Sequence, residues 1–221
     1  MSLDWSLLAE YAPALAHGTL LTIVLWLTGS VLALGIGFAM ALLLAAGPGF
    51  LRAPIRCYVE FFRGTPLLVQ LFLAYAGGPQ IGITLSAFTV GLWGLGLYGG
   101  AYFTEIFRAG FAAIPPGQLD AARSFGFSRA QSVRHVVVPQ IMVLVLPPAV
   151  NMLIVILKDT AVLSILTIPE LTFQVTGMTL ETFAFVEPYL ALAVLYWALV
   201  ELTALGGRVT EARLTHRLAW G

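Results

Sequence analysis

Few residues of this sequence could do chemistry, because only 10% of its 221 residues are charged. Lys158 and Asp159 are the most informative, since they form an adjacent cation and anion directly after an apolar run. Asn151, seven residues before Lys158, would share its face of a helix. Glu187 is a further acid, just before Pro188 and another apolar run. A small charged ligand could bind these groups if the apolar runs bring them together.

Patterns typical of catalytic centres are missing or stand in the wrong context. Gly94, Gly96 and Gly99 spell G-x-G-x-x-G inside an apolar run rather than at a strand-to-helix turn, so we expect them to let helices approach closely. The only lysine, Lys158, is not part of a Walker A loop, so any ATP must bind another chain. The three histidines lack ligand spacing. We therefore expect no metal site and no enzyme active site in this chain.

The elements that must position these groups are apolar helices. The chain is 59% hydrophobic, with a mean hydropathy of +0.93, whereas roughly a quarter of the residues of a soluble domain are charged. Cys57 is the only cysteine, which excludes an internal disulfide. Long apolar windows predict an all-α polytopic membrane protein with about five transmembrane helices, forming one domain over residues 1–221. The predicted spans are 18–46, 59–76, 85–107, part of 141–157, and 189–205.

The distribution of basic residues predicts the orientation of these spans. Ten of the 11 lysines and arginines fall on one predicted face of the membrane, and only Lys158 falls elsewhere. The positive-inside rule therefore places the N-terminus outside and the C-terminus in the cytoplasm. Near that inner face, Glu105 and Arg108 have the i, i+3 spacing of an ion pair. Arg63 enters the second span there, either as an interfacial anchor or as part of a gate.

The longest polar interruption covers about residues 115–139 and would lie in the cytoplasm. Its two leading prolines end the preceding helix, and 118–125 is predicted to form a short helix. Gly126 stands where a helix C′ residue is free to adopt a positive φ. Ser128 and Gln131 form an S-x-x-Q capping box, which predicts a second helix. The predicted loop is therefore a helix, a glycine break and a capped helix.

This loop resembles the EAA loop of ABC-importer permeases through Asp120, Ala121 and Ala122, followed by Gly126, with Pro139 closing the segment. The family's pattern opens with glutamate, so Asp120 keeps the charge on a shorter arm. Other motifs resemble the polar-amino-acid branch of the family, and the resemblance covers about residues 14–210. These motifs are FRGTPLLVQ at 62–70, the stretch from Gly110 through Gly117 and Gln118, and KDT at 158–160.

The resemblance implies a type I ABC importer permease (MetI-like) fold and the function of a subunit that moves polar amino acids across the bacterial inner membrane. It also implies partners: ATPase subunits that bind ATP and Mg, an extracytoplasmic amino-acid-binding protein, and a second permease subunit that is a second copy or a related chain. No cofactor is expected in this chain. The residues expected to couple to the ATPase are Gln118, Asp120, Ala121, Ala122, Gly126 and Pro139.

In the resembling family, the region around Lys158 lines the translocation path. If the fourth span begins near Pro139, Lys158 emerges at the outer interface; if it begins at Pro147, Lys158 lies close to mid-bilayer, where charges usually face a cavity or a partner. A cation and an anion would suit a zwitterionic amino acid, and the alternative is a structural ion pair. The chain departs from the family pattern at Met152 and Ala161. The predicted pathway residues are Asn151, Lys158, Asp159, Thr160 and Glu187.

Two other classes of membrane protein compete with this interpretation. A self-sufficient proton-coupled secondary carrier could use Asp159 or Glu187 as its proton site, but the sequence shows no inverted repeat of broken helices. A membrane enzyme would need an acid/base or metal constellation, which the sequence lacks.

Overall fold

The computed structural model describes residues 5–219, and this part of the chain contains helices and turns but no β-strand. The predicted all-α class is thereby confirmed. The first long helix ends at Ala46, where the predicted first span ends, because the following Gly47 is extended (φ −80°, ψ 170°) ahead of Pro48. The α-helices are α1 (Ser6–Glu10), α2 (Ala12–Ala46), α3 (Arg52–Gly64), α4 (Leu67–Phe72), α5 (Ala87–Ala112), α6 (Pro116–Ser124), α7 (Arg129–Ser132), α8 (Val138–Asp159), α9 (Leu171–Thr182) and α10 (Val186–Ala219). Short 3₁₀ or π-helical turns lie at Gly49–Leu51, Leu73–Gly77, Gly78–Ile81, Val133–Val137 and Thr160–Leu166.

Helix α5 is the centre of the fold, packing against α2, α3, α4 and α8. The three glycines of its G-x-G-x-x-G pattern face three different helices. A Cβ at Gly96 would lie 3.0 Å from Leu32 of α2, and one at Gly99 would lie 2.7 Å from Ile156 of α8. Gly94 faces Leu71 of α4. The expectation that these glycines permit close helix approach is confirmed.

Three continuous helical segments are long and apolar enough to cross a membrane: Ala12–Ala46, Arg129–Leu166 and Val186–Leu214. Helix α5, with 26 residues, is about 39 Å long at the usual rise per residue. Its glycines and tyrosines lower its hydropathy, and neighbouring helices cover it. The segment Leu67–Ile81 is apolar but shorter. The number of five membrane crossings therefore stays a prediction.

The predicted second span, 59–76, is wrong as one continuous helix. Pro66 excludes helical conformation at Thr65, which is extended (φ −123°, ψ 146°), so α3 ends there and α4 begins after it. The buried Gln70 side chain braces this break, because its amide donates to the carbonyls of Phe62 and Thr65, both at 3.0 Å. Gln70 is thus a structural residue of the motif.

The helix that contains the predicted fourth span is broken at neither of its two proline positions. Arg129–Leu166 is continuous, so it passes through Pro139 and the Pro147 pair. A π-helical turn, Val133–Val137, directly precedes the α8 turn that contains Pro139. Helix α8 also packs against α5 and α10, and neighbouring helices allow membrane helices to tolerate proline. Pro139 lies in the first turn of α8, which begins at Val138, and the point at which the fourth span enters the membrane stays a prediction.

Candidate coupling loop and substrate pathway

The loop after α5 is built as its sequence predicts, from a short helix, a glycine break and a capped helix. Helix α6 ends in a Schellman motif, in which the Gly126 N–H donates to the Arg123 carbonyl (2.9 Å) and the Phe127 N–H to the Ala122 carbonyl (3.1 Å). Gly126 has φ +81°, a conformation that glycine adopts without strain. The turn therefore requires the glycine at this position.

The capping box that starts α7 is also confirmed. The Ser128 hydroxyl accepts from the Gln131 N–H (3.3 Å), and the Ser128 N–H donates to Oε1 of Gln131 (2.8 Å). Both bonds satisfy N–H groups that lack a partner within the helix. The cap fixes the direction in which the chain enters the long helix towards α8.

Helix α6 presents a nearly bare surface around Ala121. Ala122 is buried, whereas Ala121 and Asp120 are exposed. Asp120 pairs with Arg123 at 3.5 Å, but both side chains are mostly exposed, so the pair contributes little stability. Phe125, at the end of the helix, is 85% exposed. A large apolar side chain beside small residues suits contact with another protein.

A cleft of about 690 Å³ separates α6 from the start of α8. Gln118 and Gln140 close one side of it, because Nε2 of Gln140 donates to Oε1 of Gln118 (2.6 Å) and to the Val136 carbonyl (2.8 Å). Gln118 is therefore engaged with α8 instead of extending outward. This bond ties the short helix directly to the membrane-crossing segment.

The structure distributes the predicted pathway residues over different faces. Asn151 and Lys158 are both exposed on one face of α8, and Asn151 borders a small cleft against Gly207 of α10. Asp159 is half-buried on an adjacent face. No ion pair joins Lys158 to Asp159 in the described part of the chain, because adjacent helix residues project about 100° apart.

Asp159 lies beside a polar track on α5 that sequence reasoning missed. Its Oδ2 atom is buried and accepts no hydrogen bond from the described residues, and the helix that carries it packs against α5. Tyr98 donates to the Tyr102 hydroxyl (3.4 Å), and the Arg63 guanidinium lies 5.2 Å from the centre of the Tyr102 ring. The i, i+4 spacing of the two tyrosines is the feature of the sequence from which this polar track could have been predicted.

Thr160 and Glu187 lie in the interior of the chain. The Thr160 hydroxyl donates to the Leu157 carbonyl (2.7 Å) and lies 3.2 Å from the Tyr196 hydroxyl of α10. Glu187, at the start of α10, is 7% exposed. Neither side chain shares a surface with Asn151, so the five residues do not form one lining.

Glu170 is a second residue that sequence reasoning missed. It is fully buried and caps α9, accepting from the N–H groups of Thr172 and Phe173, each at 2.9 Å. The hydroxyls of Thr22 (3.4 Å) and Tyr196 (3.3 Å) donate to the same carboxylate. Glu170 therefore joins α2, α9 and α10. The only feature of the sequence that indicates this role is the position of Glu170 between Pro169 and an apolar helix.

The ion pair predicted at the end of α5 is confirmed, with Arg108 Nη2 lying 2.7 Å from Glu105 Oε2. The Arg108 Nε atom also donates to the same carboxylate at 3.0 and 3.1 Å. Such a forked arrangement fixes the orientation of the guanidinium as well as its position.

Comparison with known proteins places this architecture in a family. The family model described as "Binding-protein-dependent transport system inner membrane component" matches residues 33–216. The chain is 34% identical over 202 residues to the probable amino-acid ABC transporter permease protein YckA of Bacillus subtilis (strain 168), which covers 91% of this chain and 88% of that protein.

Solved structures agree with this assignment. The crystal structure of an amino acid ABC transporter with histidines is 34% identical, covers 96% of this chain and 100% of its own, and has a TM-score of 0.88. An inward-facing MetNI methionine ABC transporter structure, 18% identical, shares the fold with a TM-score of 0.76 over 93% of this chain and 98% of its own. These findings favour an importer subunit over a self-sufficient carrier. The chain therefore belongs to the family of binding-protein-dependent transport system inner membrane components, as a transmembrane permease subunit of an ABC importer.

Proposed function

We propose that this chain moves polar amino acids inward across the bacterial inner membrane, driven by ATPase subunits that bind ATP and Mg on its cytoplasmic side. An extracytoplasmic binding protein delivers the substrate, and a second permease subunit, either a second copy or a related chain, completes the pathway. The N-terminus lies outside and the C-terminus in the cytoplasm. The observation that carries the proposal is the construction of α6, which exposes a small-residue surface and is fixed to the membrane-crossing helix at both ends.

The fixed ends make α6 suitable for transmitting motion. Its exposed Ala121 side lies in a groove of the ATPase, and Asp120 and Phe125 orient it there. The Gly126 turn and the Gln118–Gln140 bond hold α6 to the segment that continues into α8. Closure of the ATPase dimer then displaces α6 and α8 together, which couples nucleotide binding to the substrate path.

Asp159 is the strongest candidate for a substrate contact in this chain. A buried carboxylate oxygen without a hydrogen-bond donor is costly unless a partner supplies one. The ammonium group of an amino acid is such a donor, and the polar track through Tyr98 and Tyr102 offers further contacts. Asn151, Lys158, Thr160 and Glu187 remain proposed pathway residues, and Asn151 and Lys158 lie on a surface that the second permease subunit completes.

The direct test is purification of the tagged chain from its native membrane in a mild detergent, followed by sequencing of every co-purifying chain. A peripheral chain with a Walker A lysine is expected, together with either a related permease or only this permease. Isolation of the chain alone under several mild conditions, combined with uptake that survives ATP depletion and collapses with the proton gradient, would support the secondary carrier instead.

A charged side chain at Gly126 tests the coupling loop. Gly126→Asp strains the positive-φ turn and displaces α6, so we expect loss of ATP-dependent uptake while the protein still inserts into the membrane. Gly82→Asp is the matched control, because Gly82 has nearly the same backbone conformation (φ +82°) but lies between α4 and α5. Uptake by Gly126→Asp at the parental rate would contradict the docking proposal.

A further inference from the structure

A cavity of about 740 Å³ opens between the end of α2, helix α3 and the end of α5. It lies beside the start of the coupling loop, because Phe111 and Ala112 of α5 form part of its wall. The coupling mechanism does not use this space, and only Arg63 is shared between its wall and the track at Asp159. Its volume falls within the usual range for small-molecule sites.

The charged side chains around this cavity are mainly basic. Four arginines line it, against the two carboxylates of Glu60 and Glu105. Arg108 is neutralised by Glu105. The other three arginines form no ion pair with any described acidic residue, and they are Arg52, Arg56 and Arg63. The cavity therefore keeps an excess of positive charge that an anion would neutralise.

The spacing of the arginines along α3 creates this arrangement. Ile55 and Val59 are buried, so they fix one face of the helix in the protein. Arg52, Arg56 and Arg63 then follow at intervals of four and seven residues, which place them on one neighbouring face. Because they share this face, all three side chains line the same cavity.

The surroundings of the cavity favour a lipid over a soluble anion. Leu44 and Phe111 give the cavity apolar wall next to its arginines. Phe50 and Phe61, just before and within α3, are 75% and 49% exposed. Exposed aromatic side chains beside basic residues are typical of a helix that lies at the membrane interface.

We propose that this basic cavity binds the phosphate group of an anionic phospholipid. Arg52, Arg56 and Arg63 contact the phosphate, and the apolar wall and exposed phenylalanines receive the first part of the acyl chains. Basic pockets between membrane helices bind anionic headgroups in this way. The proposal depends only on the membrane location of the chain, so it can hold whether or not transport is driven by ATP.

The test is native mass spectrometry of the full chain in mild detergent, with the subunits that co-purify with it. Phosphatidylglycerol and phosphatidylcholine are added at equal concentration, and the bound lipids are counted. Arg56→Gln is compared with Arg213→Gln, which removes the same charge from an exposed position on α10 outside the cavity. We expect retention of phosphatidylglycerol over phosphatidylcholine, and a loss of about fivefold in phosphatidylglycerol affinity for Arg56→Gln alone.

Two further measurements of phosphatidylglycerol affinity test whether the contact depends on positive charge. Arg56→Lys should retain most of the affinity, and 0.5 M salt should reduce the affinity of the parental chain. Equal affinities of Arg56→Gln and Arg213→Gln, or equal retention of the two lipids, would overturn the proposal. Glycerol phosphate that displaces phosphatidylglycerol at a comparable concentration would also overturn it, because the site would then recognise a soluble phosphate.

Discussion

Gly37 of α2 shows how a single missing side chain sets the distance between helices. A Cβ at this position would overlap the Phe103 side chain and approach the backbone of α5 at 2.9 Å, whereas a Cβ at Gly35 would meet nothing within 4 Å. We expect Gly37→Ala to lower the free energy of unfolding by about 1–3 kcal/mol. Gly35→Ala should be neutral or raise it by up to about 1 kcal/mol. Thermal unfolding in detergent measures both, and equal changes would show that the packing at Gly37 adapts.

Variants of Asp159 and Lys158 compare the two adjacent charged residues among the proposed pathway residues, of which Asp159 is half-buried and Lys158 exposed. Asp159→Asn removes the charge that we propose for binding the substrate ammonium, so uptake at a low substrate concentration should fall about tenfold or more. Lys158→Gln should change uptake much less, because the lysine is exposed on another face. The two variants are compared by measuring uptake into vesicles that contain the whole complex. ATP hydrolysis is recorded in parallel. A larger loss for Lys158→Gln would assign the substrate contact to the lysine.

Among the elements, α6 and α8 are joined directly by the bond of 2.6 Å between Gln118 and Gln140. If it transmits motion, Gln140→Leu should reduce the amount of substrate moved per ATP several-fold while the ATPase stays bound. Gln118→Leu should do the same, and the double variant should be no worse than either single one, because all three lose the same bond.

Gln80→Leu provides the control for this cycle, since Gln80 is exposed in the turn after α4. Additive losses in the double variant would show that the two glutamines act independently. Both measurements use the assembled complex, with hydrolysis and uptake determined on the same vesicles.

Local signals explain which elements could be predicted from the sequence. The Gly126 turn, the Ser128–Gln131 box and the end of the first span at residue 46 each depend on residues within one turn of each other, and each prediction is confirmed. The sequence left open whether a helix passes through the Pro147 pair, because packing between helices overrides a local preference. Glu170 could not be placed either, since Thr22 lies 148 residues away in the sequence. The separation of Lys158 from Asp159 follows from simple helix geometry, whereas the burial of Asp159 depends on α5.

At the scale of the molecule, α5 connects the three features that matter for function. Its middle carries the tyrosines beside Asp159, its end forms the basic cavity, and the chain then passes directly into α6. A displacement of α6 therefore acts at the end of the most extensively packed helix. These features can act together in transport only if α5 crosses the membrane. The coupling loop and the turn before α5 then lie on opposite sides of it.

That arrangement can be tested by labelling introduced cysteines, because Cys57 is the only native one. In a Cys57→Ser background, Arg129→Cys places a thiol in the coupling loop and Thr84→Cys places one between α4 and α5, both at exposed positions. A maleimide that cannot cross the membrane should label Thr84→Cys in intact spheroplasts and Arg129→Cys only in inside-out vesicles, as the excess of basic residues on the inner face predicts. The background chain alone should remain unlabelled in both preparations. Reversed labelling would place the N-terminus in the cytoplasm and the loop outside, where no ATPase could reach it, and labelling of both from one side would contradict a membrane-crossing α5.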